Sequence, residues 1–174
     1  MINYSLVEVN LEQAIESSIR LADDIAQSFK PSVIVGILKG GFLPALEISD
    51  RLGVPCEFLN VHIKYSKSIV RVEPFNAELE VSDVLLVDDM YFTGSTLKMA
   101  ETELNKFNPL TLKTAVLSYS FRPHYNPPDF FDHFFDYNGI AERYPWSSKS
   151  HFYGQYQDYL RSVNPRIEII NSMK

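Results

Sequence analysis

The feature that most constrains the fold is a pair of short apolar runs, Val33–Leu38 and Val84–Val87. Each breaks off into a polar, glycine-containing loop that leads into a helical pattern. A continuous apolar run rich in β-branched residues suits a strand covered on both faces, since a strand with one wet face would alternate. Strands of that kind, separated by helical stretches, imply a parallel sheet with crossover helices.

The rest of the chain fits this plan. Leu11, Ile15, Ile19, Ala22, Ala26 and Phe29 recur at helical spacing, Asn10 with Gln13 forms a capping-box pattern, and Pro31 stops the helix. A second helix is expected over about 42–52, with Pro44 tolerated in its first turn and Gly53 as its C-terminal cap. A strand over 55–63 and an exposed polar hairpin over 64–80 follow. After the second apolar run come a helix over 95–107, with Leu97, Ala100, Leu104 and Phe107 on one face, a strand over 112–119, and another near 130–137. The expectation is one domain over residues 1–174: α/β, a doubly wound, mostly parallel sheet flanked by helices, with a small C-terminal hood region. In such sheets ligands bind beyond the carboxyl ends of the strands. The loops 38–41 and 88–96 both begin there, which makes them candidates for one shared site.

Composition narrows the partners. The 174 residues carry a net charge of −6, a poor match for nucleic acid, whose phosphates call for a positive field. A local pocket can still take a small anion. The single cysteine, Cys56, permits no internal disulfide, which fits a reducing compartment. No apolar run reaches transmembrane length, and the start MINYSLVEVN lacks the basic and apolar regions of a signal peptide. A cytoplasmic protein with neither nucleic-acid nor membrane partners is expected.

The loop after the second apolar run carries the chemistry. Asp88 and Asp89 are adjacent carboxylates at a strand end; they repel one another and call for a cation or hydroxyl donors. Thr93, Gly94, Ser95 and Thr96 then open a helix, where free N–H groups, hydroxyls and the helix dipole favour a phosphate. One loop thus offers ligands for hydroxyls or a metal at one end and for a phosphate at the other, which are the two ends of a ribose 5-phosphate.

The segment VLLVDDMYFTGST resembles the signature loop of type I phosphoribosyltransferases: an apolar strand, two acidic residues, three variable residues, then Thr-Gly-x-Thr. Leu38-Lys39-Gly40-Gly41 resembles the pyrophosphate loop of the same family, in which the entering peptide is often cis. The resemblance implies that phosphoribosyl pyrophosphate lies along Lys39, Gly40, Gly41, Asp88, Asp89, Tyr91, Phe92, Thr93, Gly94, Ser95 and Thr96. Asp88 and Asp89 then hold the ribose hydroxyls beside Mg2+, Lys39 offsets pyrophosphate charge, and the family's common state is a homodimer or homotetramer. The stretch 64–80 takes the place of the family's catalytic lid, with Tyr65, Ser66 and Arg71 as candidate contacts.

Phe121-Arg122-Pro123 and Tyr144-Pro145-Trp146 resemble segments flanking the base pocket in the xanthine–guanine branch, which makes Arg122 and Trp146 the candidate base contacts. Two departures stand out. Arg122 replaces that branch's usual lysine, and Phe92 replaces an aspartate proposed to take the base's proton. Three readings follow: transfer to a purine such as xanthine or guanine, transfer to a pyrimidine or other acceptor, or a regulator that binds phosphoribosyl pyrophosphate or a nucleotide without turning it over.

Overall fold

The computed structural model describes residues 5–64, 67–71, 82–120, 126–135 and 140–162. The chain divides into two compact units: Ile15–Tyr137, and a smaller one built from Met1–Ala14 and Asn138–Lys174.

In order, the elements are β1 (Ser5–Glu8), α1 (Leu11–Ser28), β2 (Val33–Leu38), α2 (Phe42–Leu52), β3 (Cys56–Lys64) and β4 (Lys67–Arg71). There follow β5 (Asp83–Tyr91), α3 (Ser95–Leu104), a 3-10 turn Asn105–Phe107, β6 (Thr111–Ser120), β7 (Phe130–Phe135), β8 (Ile140–Arg143) and α4 (Tyr153–Ser162). The larger unit holds a six-stranded sheet in the order β4-β3-β2-β5-β6-β7. Every pairing from β3 to β7 is parallel, and β4 runs antiparallel along the β3 edge. The doubly wound α/β expectation holds, with one antiparallel strand added where the hairpin over 64–80 was expected. Residues 65, 66 and 72–81 of that stretch lie outside the described residues.

The helices divide between the two faces. Leu97, Ala100 and Leu104 of α3 pack on Val33, Val35, Ile37, Val84, Leu86 and Val116. Helix α2 takes the other face, where Gly36 has no room for a side chain: a Cβ would lie 2.7 Å from Ala45 Cβ and 2.9 Å from Gly41 O. Helix α1 shares that second face. Phe29 stacks on Phe130 of β7, and buried Asp132 accepts hydrogen bonds from Ser17 Oγ at 2.5 Å and from Arg20 Nε and Nη2 at 2.9 Å each. The helix ends follow local chemistry. Asn10 and Gln13 close a reciprocal cap of 2.9 and 2.8 Å, and Gly53 ends α2 at φ +66°, a conformation that costs glycine little.

The smaller unit pairs β1 with β8 in parallel, Glu8 opposite Arg143. Glu8 accepts from Arg143 Nη1 and Ser150 Oγ, each at 2.9 Å. Among the described residues no helix is long and apolar enough to cross a membrane.

Candidate active site

Strand β5 does not stop at Val87. Its pairing with β6 continues through Asp88↔Val116 to Tyr91↔Tyr119, so both aspartates are held on a strand rather than on a loose turn. Asp88 is buried, 7% exposed, and its Oδ1 accepts the Asp89 N–H at 3.0 Å. Burial, followed by the neighbouring Asp89 charge, pushes the Asp88 carboxyl well above its ordinary 3.8.

The loop after β2 comes to this pair. The Leu38–Lys39 peptide is cis, as in the family the loop resembles. Gly41 N–H donates to Ile37 O at 2.7 Å and Phe42 N–H to Lys39 O at 3.2 Å, which folds the turn tightly before α2. Gly40 lies flat on the Asp89 carboxylate: a Cβ there would stand 2.6 Å from Asp89 Cγ and Oδ1. The two loops that sequence reasoning assigned to one site therefore touch, and glycine is what lets them. Lys39 is exposed beside this contact.

The phosphate-type loop follows β5. Gly94 caps α3 at φ +72°, ψ −1°, and its carbonyl accepts Lys98 N–H at 2.9 Å. Thr93 Oγ1 and Ser95 Oγ lie 2.9 Å apart at the start of a ten-residue helix, where Thr93 Oγ1 accepts the Ser95 N–H at 3.4 Å. A left-handed residue between non-left-handed neighbours turns successive amides toward one point, a concavity suited to an anion.

The chain matches the phosphoribosyl transferase domain family over residues 9–148. It belongs to the phosphoribosyltransferase family. It is 36% identical over 107 residues to the hypoxanthine-guanine phosphoribosyltransferase of Aquifex aeolicus, covering 55% of this chain and 60% of that protein. To the Dictyostelium discoideum protein of the same name it is 33% identical over 110 residues, covering 56% and 61%. The chain thus spans about three-fifths of the length of these curated relatives. The crystal structure of purine phosphoribosyltransferase from Pyrococcus horikoshii shares its fold with a TM-score of 0.71 at 27% identity, over 81% of this chain and 93% of that one.

Not every residue expected at the site has its side chain free to face a ligand. Tyr91, expected among the phosphoribosyl pyrophosphate contacts, is buried at 8% exposure, and its hydroxyl donates to Asn126 O at 2.6 Å. Phe92 and Thr96 are half-buried and Ser95 is exposed. Trp146 belongs to the smaller unit, where its ring stacks on Tyr144 at 4.8 Å and 7° and meets Tyr156 edge-on at 5.9 Å. One face of the indole is thereby occupied. The Glu142 carboxylate accepts the Tyr144 hydroxyl at 3.1 Å. Arg122, with residues 121–125, lies outside the described residues, as do Tyr65 and Ser66. Sequence reasoning missed Asn126, whose contribution is a backbone carbonyl and leaves no side-chain signature.

The donor set suits a hard divalent cation. Among the described residues no cluster of three or more His, Cys, Asp or Glu side chains forms a closed cage, while Asp88 and Asp89 supply adjacent carboxylates. Mg2+ is commonly bound by one or two carboxylates, with the remaining positions filled by substrate phosphates and water.

Proposed function

We propose that this protein transfers the 5-phosphoribosyl group from phosphoribosyl pyrophosphate to a purine base such as xanthine or guanine, and releases pyrophosphate. The observation that carries the reading is the seating of Gly40 on the Asp89 carboxylate. It brings a lysine-bearing glycine turn onto a carboxylate pair, and the Thr93–Thr96 helix start follows the same strand β5. The relatives named hypoxanthine-guanine phosphoribosyltransferase support a purine acceptor.

In the proposed reaction a base nitrogen bonds to C1 of the ribose as the C1–O bond to pyrophosphate breaks. The electron pair leaves with pyrophosphate, and the base gives up a ring proton. The charge that builds on C1 is cationic, and water must be kept from it. Asp88 and Asp89 accept the ribose hydroxyls and would hold Mg2+. The cation would neutralise pyrophosphate charge when bound. Lys39 and the amides of Gly40 and Gly41 take the leaving pyrophosphate, while Thr93, Gly94, Ser95 and Thr96 fix the 5-phosphate. Most of the rate gain then comes from positioning and fixed charge. Arg122 and Trp146 are assigned to the base; guanidinium can donate twice to an oxygen-bearing edge. The proposal extends to a single transferase domain over 1–174, a homodimer or homotetramer, and a cytoplasmic location.

A panel of purine and pyrimidine bases, assayed for pyrophosphate release with Mg2+, tests this. Turnover with xanthine or guanine, abolished in Asp89→Asn, is expected. Charge-assisted hydrogen bonds are worth about 1.5–3 kcal/mol each, so the variant's affinity for phosphoribosyl pyrophosphate should fall about 10- to 100-fold. Release with pyrimidines alone would transfer the assignment to that acceptor class. Binding without release for any base would leave a regulator.

A further inference from the structure

Tyr91 touches two segments at once. Its phenol ring lies under Gly94, where an added Cβ would come within 2.5 Å of Tyr91 Cζ. The same ring packs edge-on against Tyr119 at 5.4 Å and 75°. Its hydroxyl donates to the carbonyl of Asn126 at 2.6 Å. Tyr91, Gly94 and Asn126 meet at the wall of a cavity of about 450 Å3, which Lys98, Glu101 and Pro127 also line.

The segment that receives this hydrogen bond is unusual in its means of attachment. Asn126 is followed by Pro127 and Pro128, which have no N–H to donate and hold φ near −65°. Such a segment is stiff; Pro128 is buried, and the described hydrogen bonds of the segment lie at its ends. At the far end Asp129 accepts Thr114 N–H at 2.8 Å and Thr114 Oγ1 at 2.9 Å. At the near end stands the Tyr91 hydroxyl. Residues 126–129 thus form a strut pinned by Thr114 on β6 and by Tyr91 on β5. The chain leading into the strut carries Arg122.

We propose that Tyr91 is a positioning residue that fixes the spacing between the phosphate loop and the base-side strut: its ring supports Gly94, and its hydroxyl anchors Asn126. This rests on the phosphoribosyl-transfer reading. The two halves of the side chain do separable work. Removing the hydroxyl frees the strut while the ring still carries the loop; removing the ring unseats both.

The test compares Tyr91→Phe with Tyr91→Leu in the full chain. In Tyr91→Phe the KM for the base should rise about three- to tenfold, the equilibrium worth of one hydrogen bond, with the KM for phosphoribosyl pyrophosphate within about twofold. In Tyr91→Leu both KM values should rise, and the affinity for inorganic phosphate, read by calorimetry, should fall while Tyr91→Phe keeps it. A second readout does not depend on turnover: the Asp129 amide, which donates to Thr114 Oγ1 at 3.1 Å, should exchange with solvent faster in Tyr91→Phe. Loss of turnover with every base in the wild type, together with the expected exchange and phosphate results, would overturn the transfer reading and leave the anchor standing. An unchanged base KM with unchanged Asp129 exchange, equal rises in both KM values in Tyr91→Phe, or full phosphate affinity in Tyr91→Leu would overturn the anchor itself.

Discussion

Replacing Asp88 by asparagine should make the unliganded protein more stable while ruining its ability to bind phosphoribosyl pyrophosphate. Asp88 is 7% exposed and sits next to a second carboxylate, so burial and a like charge both oppose its ionised form. Its Oδ1 accepts the Asp89 N–H at 3.0 Å, a bond that the asparagine carbonyl oxygen reproduces. The substitution therefore removes charge and little else. Below the ordinary carboxylate value of 3.8 the side chain is neutral in folded and unfolded chains alike, and the two proteins should melt together. As pH rises past 3.8 the unfolded chain ionises first and the folded one resists, so wild-type stability falls until the raised native pKa is passed. Above that point the deficit is constant. An unsatisfied buried polar group costs about 1–3 kcal/mol, more when charged. For a domain of this size each kcal/mol moves the Tm by about 2–4 °C. Calorimetric melts in chelator at pH 4, 6 and 8 should thus show an asparagine advantage near zero at pH 4 and about 3–10 °C at pH 8. An asparagine variant that melts lower at pH 8, or an offset identical at all three pH values, would refute the reasoning.

Two further outcomes are expected. Phe92→Asp should raise kcat/KM for hypoxanthine more than for xanthine. A positioned base contributes about 10²–10⁴-fold to proton removal, and the more acidic xanthine needs it less; efficient wild-type turnover of hypoxanthine with no gain in the variant would place the proton acceptor elsewhere. Asp132→Ala should destabilise the protein by about 2–3 kcal/mol at pH 7, the worth of charge-assisted hydrogen bonds to a buried carboxylate. Burial tends to raise the Asp132 pKa, but hydrogen bonds from His133, Arg20 and Ser17 outweigh it and hold the carboxyl far below the usual range. Its contribution is therefore complete above pH 3.8 and lost as pH falls through the native value, so chemical denaturation at pH 7 and pH 3 should show the deficit shrinking.

What could be read from the sequence was what burial and backbone chemistry write into residue type. Val33–Leu38 is apolar on both faces because helices cover both, and Gly40 and Gly94 are glycines because a carboxylate and a phenol occupy the space a Cβ needs. Reading polarity as the end of a strand failed at β5. Asp88 and Asp89 looked like the start of a turn, yet ladder hydrogen bonds are made by the backbone whatever the side chain, and pairing with β6 carries the strand on to Tyr91. Strands β1 and β8 gave no local signal: each is four residues long and is held by its distant partner and by the Glu8–Arg143 ion pair. Helix α4 begins Tyr-Gly and carries three tyrosines, residues of modest or poor helix propensity, so propensity alone does not call for a helix there. The position of Tyr91 in the motif was legible, but the direction of its side chain depends on Asn126, 35 positions further on.

The pairing of β1 with β8 bears on how the chain is made. Ser5–Glu8 is synthesised about 130 residues ahead of its partner Ile140–Arg143; at roughly 5–20 residues per second, that delay is on the order of 7–26 s. Throughout it β1 lacks its partner while Ile15–Tyr137 is being synthesised. The last strand of the sheet of six, β7, is thus made just before the last strand of the sheet of two, β8. A chaperone that shields Ser5–Glu8 during that wait, or a synonymous change that slows translation just ahead of Ile140, would act on β1.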